Sequence, residues 1–137
     1  MTLLYEEKRN LIKYRIKNAD DILEEAEILF SKKKALGTAN RIYYSLFNLV
    51  NALALKDDFT AKKHTNLKSF FNKEYLYNNV IGKDIGKAFN KAMMYRSDGD
   101  YKIIPDFDLE DMKSLLKNAK KLNEEIKKIL NIYLKEK

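Results

Sequence analysis

The 137-residue chain contains no cysteine, which excludes a disulfide framework and a thiolate metal centre. A single histidine rules out most metal sites built on imidazole. One proline and four glycines leave little to interrupt a helix. Apolar runs are broken by Asn, Lys or Asp well short of the ~20 residues that a membrane-spanning helix needs. The N-terminal MTLLYEEKRN lacks the basic stretch, apolar segment and small-residue cleavage site of a signal peptide. No Gly-rich phosphate loop, GxSxG or HExxH is present. A carboxylate-only metal centre stays open in principle, but the acidic residues fall mostly on polar helix faces. The expectation is one cytoplasmic domain over residues 1–137, with no metal, no cofactor and no membrane contact.

What the chain does have is lysine. The net charge is +7, and it is spread thinly. Residues 1–35, 36–63, 64–101 and 102–137 carry +1, +2, +2 and +2. A diffuse surplus is compatible with an anionic partner but marks no basic arm.

Strong helix formers fill the sequence and no strand-period run occurs, so the fold class is all-α. The spacing predicts a first helix over about residues 4–33, with Ile12, Ile16, Ala19, Leu23, Ala26 and Phe30 on one stripe. A second, about 36–56, is apolar nearly all round and therefore central. A shorter third runs from His64 to about residue 77, where Asn78-Asn79 breaks it. A fourth spans about 83–96 and is expected to end at Gly99, as a C-terminal glycine should. Asp108 is a good N-cap for the last helix, about 109–135. Short connections between long helices imply an antiparallel bundle.

Two clusters carry the polar chemistry. In ANRIYYSLFN, residues 39–48, Arg41, Tyr44 and Asn48 recur at three- and four-residue spacing and share one face. On a buried helix they must find partners, either in an internal hydrogen-bond network or around a cleft that Arg41 and Tyr44 line. In AMMYRSDGDY, residues 92–101, Arg96 stands near a helix end with Asp98 and Asp100 within pairing reach. Taken alone, that pattern favours a capped helix terminus with a local ion pair over a site. His64 opens the short third helix and is either structural or catalytic.

Three blocks in this order resemble the HEPN superfamily (higher eukaryotes and prokaryotes nucleotide-binding), in its small stand-alone prokaryotic group. ANRIYYSLFN is similar to the family's small-x-Arg-x-Tyr-Tyr-x-x-Phe block. KHTNLKSFF, residues 63–71, is similar to its His-x-x-Leu-x-x-x-Phe block, and YRSDGDY, residues 95–101, to its Arg-x-x-x-Asp-Tyr block. The resemblance covers nearly the whole chain. It implies a five-helix fold with a four-helix-bundle core, which usually dimerises so that two Arg-bearing motifs face one cleft. Many such proteins are metal-independent ribonucleases with an Arg-x(4–6)-His motif. Several are toxins encoded beside a small nucleotidyltransferase, and others bind nucleotides or partners without catalysis.

This chain departs from the ribonuclease pattern at the decisive point, because no histidine follows Arg96 at that spacing. Metal-free RNA cleavage needs a base for the 2′-hydroxyl proton and an acid for the leaving oxygen, and imidazole serves both near neutrality. An unperturbed carboxylate is too weak a base and a tyrosine hydroxyl too weak an acid. Three readings follow. The first is a homodimeric binding module, in a toxin–antitoxin or defence setting. It uses Arg96 and Arg41 for phosphate, with Tyr44, Asp98 and Asn48 supporting the cleft, and takes nucleotide, RNA or a nucleotidyltransferase partner. The second is a toxin-type endoribonuclease with a non-standard catalytic set drawn from Arg96, Asp100, Tyr101 and His64. The third is a purely structural helical dimer. The missing histidine favours the first over the second.

Overall fold

The computed structural model describes residues 4–60, 64–102 and 106–136, the side chains of 64 and 65 excepted. Among them the chain forms five α-helices and no strand. They are α1 (Tyr5–Ser31), α2 (Ala35–Lys56), α3 (His64–Phe71), α4 (Lys83–Tyr101) and α5 (Leu109–Lys135). A π-helical turn, Asn72–Leu76, continues α3.

Cross-helix contacts fix the topology. Arg15, Ser45 and Arg41 bond to Asn48, Ala19 and Glu25 across α1 and α2, in opposite order along the two helices. Lys120 and Lys127 pair with Glu27 and Asp20, again in reverse order, so α5 is antiparallel to α1. Gly99 packs near Leu36, and Arg96 bonds to Tyr44, which sets α4 antiparallel to α2. The result is an up-down-up-down four-helix core with α3 laid against α2. Helix α2 is central, as its all-round apolarity predicts, with Ile42, Tyr43, Leu46, Leu49, Val50 and Leu53 fully buried. Small residues at Ala19 and Ala26 of α1, both fully buried, let α1 lie close enough for Ser45 Oγ to reach the Ala19 carbonyl at 2.7 Å.

Helix ends are finished with little glycine. All three left-handed residues among those described are non-glycine: Lys33 after α1, Asp58 after α2 and Asn79 before α4, with φ of 61°, 57° and 57°. At the first of these, the Lys34 N–H reaches the Leu29 carbonyl at 2.9 Å, which closes the exposed carbonyl end of α1. Asp108 caps the start of α5, as its sequence position predicts, and forms a reciprocal capping box with Asp111.

The expected stop at Gly99 is corrected. Helix α4 runs on to Tyr101, and Gly99 is an interior helical residue with negative φ. A methyl group there would lie 3.2 Å from Leu36 Cδ2, so the glycine serves close packing against α2 rather than termination. The i,i+4 pairs Arg96–Asp100 and Asp98–Lys102 span the last turn and favour its continuation.

The π-helical turn is absent from the sequence-level reading. Within it Tyr75 and Leu76 are both buried, and the Tyr75 ring stacks on Phe71 with centroids 6.0 Å apart. Two contacts hold it to α4. Asn72 and Asn90 exchange amide hydrogen bonds at 3.2 and 2.9 Å. Leu76 presses onto Gly86, where an added Cβ would stand 2.0 Å from Leu76 Cδ2.

Candidate functional site

The two polar clusters of the sequence meet at one side chain. Two guanidiniums approach the Tyr44 ring, with Arg41 Cζ 5.6 Å and Arg96 Cζ 5.5 Å from its centroid. Arg96 Nη2 also donates to the Tyr44 hydroxyl at 3.1 Å. The same guanidinium stands 5.4 Å from the Tyr43 ring, and the two tyrosine rings meet edge to face at 5.0 Å. Stacking of planar guanidinium on aromatic faces orients the cation without consuming its N–H donors. Arg41 is turned the other way at its tip. It donates to Asn40 Oδ1 at 3.0 and 2.7 Å and to Glu25 at 3.2 Å.

Arg96 is held but not saturated. Its Nε lies 3.0 Å from Asp100 Oδ2, yet this buried N–H is not aimed at the carboxylate and makes no hydrogen bond. The pair is an electrostatic contact, not the aligned fork of a mature Arg–carboxylate bridge. Beside it a small depression of about 40 Å³ is lined by Leu36, Ala39, Asn40, Tyr95, Arg96, Gly99 and Asp100. The absent Gly99 side chain therefore contributes open space next to the cation.

Other residues singled out in the sequence stand elsewhere. Asn48 is buried, accepts from Arg15 Nη1 at 3.1 Å and donates to the Tyr44 carbonyl at 2.8 Å, so it ties α2 to α1. Asp98 is 3.8 Å from Lys102 Nζ, which also binds Asp106 at 2.6 Å. Tyr101 is 81% exposed, at the rim beyond Asp100. The His64 side chain lies outside the described residues. Two neighbours of Arg96 carried no signal of their own. Tyr43 read as core, and Tyr95 read only as a flank of the motif.

Electrostatics sharpen this picture at Tyr43. Burial pushes its hydroxyl up to about 12, an effect that the positive charge of Arg96 opposes and the neighbouring Tyr44 adds to. The phenol stays protonated at neutral pH and acts only as a neutral platform under the guanidinium. Burial also raises Tyr95, helped by the negative charges of Asp111, Asp108 and Asp98. Among the described residues no group of three or more His, Cys, Asp or Glu is arranged to hold a metal. None of the described helices is long and apolar enough to cross a membrane. The arrangement offers a planar, oriented cation with one unmet donor, next to a small opening.

Comparison with known proteins agrees with the geometry. The sequence model of one family, described as the HEPN domain, matches residues 12–129. A UPF0332 protein of Thermotoga maritima is 31% identical over 124 residues, covering 90% of this chain and 94% of that protein. Two proteins of Methanocaldococcus jannaschii, each named as a candidate toxin, are also similar. One is 33% identical across 80% of this chain and 74% of its own length. The other is 28% identical across 93% and 95%.

Proposed function

The chain belongs to the HEPN domain family, and from that premise we propose that it is a homodimeric RNA-binding protein that holds a backbone phosphate at Arg96. The observation that carries this reading is the buried Arg96 Nε–H, close to Asp100 but without a hydrogen bond. A buried donor left unmet costs about 1–3 kcal/mol. A phosphate oxygen that displaced the Asp100 carboxylate, which lines the adjoining depression, would satisfy it, and two phosphate oxygens match the guanidinium fork in charge and spacing. Arg41, also close to the Tyr44 ring, adds a second positive charge. Leu36, at the depression's edge, and Tyr101 are exposed apolar surfaces that a second copy would cover.

A second reading, RNA cleavage, is favoured by the relatives named as candidate toxins. Cleavage would proceed by attack of a 2′-hydroxyl on the adjacent phosphate, breaking the bond to the 5′-oxygen of the next nucleotide and leaving a 2′,3′-cyclic phosphate and a 5′-hydroxyl. Proton transfer would fall to Asp100, Tyr101 or His64, without a histidine following Arg96 at the motif spacing.

One experiment separates the readings. Fluorescently labelled single-stranded RNA is incubated with wild type and Arg96→Ala in a chelator, and both binding and cleavage are followed. Binding that weakens in the variant, with no cleavage by either protein, is the expected result. Cleavage by wild type alone makes it an endoribonuclease. Equal behaviour of the two proteins in both assays leaves the cluster purely structural. Sedimentation at micromolar concentration tests the homodimer, and a monomer there would overturn it.

A further inference from the structure

A trench of about 420 Å³ runs between α4 and α5, separate from the depression at Arg96 except for one shared wall, Tyr95. Its depth comes from a small residue. Ala88 lines it at 2% exposure, where a longer side chain would fill the space. Lys87, Lys91 and Tyr95 line the α4 side at four-residue intervals, so they form one row about 12 Å long. Ser114 and Asn118 line the α5 side and present a hydroxyl and an amide, each able to donate and accept.

The charges in the trench are not equivalent. Its two acids have folding roles. Asp111 accepts the Asp108 N–H at 3.0 Å in the capping box, and Asp84 lies in the first turn of α4, where negative charge is favoured. The two lysines have no such role. Neither Lys87 nor Lys91 has an ion pair among the described residues, and like charges four apart on a helix repel. Two unpaired lysines on a nucleotide-sized trench, which also holds the Asp84 and Asp111 carboxylates and shares its Tyr95 wall with the depression at Arg96, fit a groove that tracks a single-stranded backbone.

We propose that the α4–α5 trench is a second subsite for single-stranded RNA, taking the nucleotide next to the phosphate at Arg96. This rests on the reading of Arg96 given above. Lys87 and Lys91 contact the flanking phosphates, and Ser114 and Asn118 face the sugar hydroxyl and base edge. A duplex is too wide to enter a space of this size, so the ligand is a single strand.

The test is fluorescence anisotropy with a labelled oligouridine of ten nucleotides, titrated at several salt concentrations. The proteins are wild type, Lys87→Gln/Lys91→Gln, Arg96→Ala and a matched control, Lys113→Gln/Lys117→Gln, on exposed positions of α5 outside the trench. Loss of two single-strand phosphate contacts is expected to lower the log–log salt slope by about 1.4 and weaken binding about tenfold at low salt. The control is expected to change either by much less. If the trench and control pairs weaken binding equally, only bulk charge is at work and the subsite is overturned. If Arg96→Ala weakens binding while the trench pair binds as wild type, the subsite falls and the Arg96 reading stands. If wild type binds no oligouridine, both fall. Circular dichroism of each variant checks that the substitutions leave the fold intact.

Discussion

Two clusters along α2 each set a tyrosine among charged groups, one past its C-terminal end and one near its middle, and they are built for opposite purposes. Beyond its C-terminal end, the Tyr75 hydroxyl donates to Asp57 at 2.6 Å and accepts from Lys56 at 3.3 Å, while Lys56 and Asp57 pair at 2.6 Å. Cation, anion and phenol satisfy one another there, and the triad is closed. Near the middle of α2, Tyr44 has two guanidiniums close to its ring and accepts from one of them. The nearest carboxylate to Arg96, on Asp100, is in contact but out of line for a hydrogen bond. A closed triad stabilises the fold and has nothing left to offer a ligand. An open cluster retains donor capacity, and this separates a structural polar group from a candidate site with similar residue types.

Substitutions at the two clusters should therefore separate binding from stability. Arg96→Ala should have the largest effect on RNA, weakening it about thirtyfold, which corresponds to about 2 kcal/mol for a charged hydrogen bond. Its melting temperature should barely move, because a partly exposed ion pair contributes only about 0–1 kcal/mol. Asp57→Ala should do the reverse. Thermal or urea unfolding should show a loss of about 1–2 kcal/mol, since the buried Tyr75 hydroxyl loses its acceptor, with RNA affinity unchanged. Equal RNA losses in both variants would erase the distinction between the two clusters.

An alkaline titration probes both clusters together. Burial and the Asp57 hydrogen bond raise Tyr75, and burial raises Tyr43 to about 12 from the ordinary 10.0. Ionisation of a phenol is thus harder in the folded protein than in the unfolded chain. The stabilisation from this source is fully present below pH 10 and is lost as pH rises through the window up to about 12. Urea midpoints measured across that window should fall, and Tyr75→Phe should make the fall shallower. Tyr44→Phe should have the smallest effect. It keeps the ring close to the two guanidiniums and removes one hydrogen bond, for a loss of about 0.7 kcal/mol, or roughly threefold, in RNA binding.

Much of this was legible in the sequence because it is local. Apolar residues at helical spacing identified all five helices and the central place of α2, and Asp108 announced the N-cap of α5. Arg41 and Tyr44 could be put on one face because three-residue spacing dictates it. What was not legible depends on distant partners. Asn48 looked like a neighbour of the cleft, but its bond to Arg15 lies across a helix boundary. Gly99 looked like a stop because glycine usually takes the left-handed turn after a helix. Its use here is set by Leu36, which no local pattern reveals. The π-helical turn was hidden for a related reason: Tyr75 and Leu76 are adjacent, and their joint burial is decided by the core they enter.

Gly86 has no side chain to offer a ligand, yet it acts as an angular index for the residues proposed to bind RNA. Each residue along α4 advances the side-chain direction by about 100°, so Lys87, Lys91 and Arg96 keep their bearings only if α4 cannot roll. Leu76 seated in the notch at Gly86, beside the Asn72–Asn90 amide pair, resists that roll from ten residues away. Gly86→Ala would fill the notch and reorient the whole cationic row at once, so the phase of the site is written at a position that never touches it.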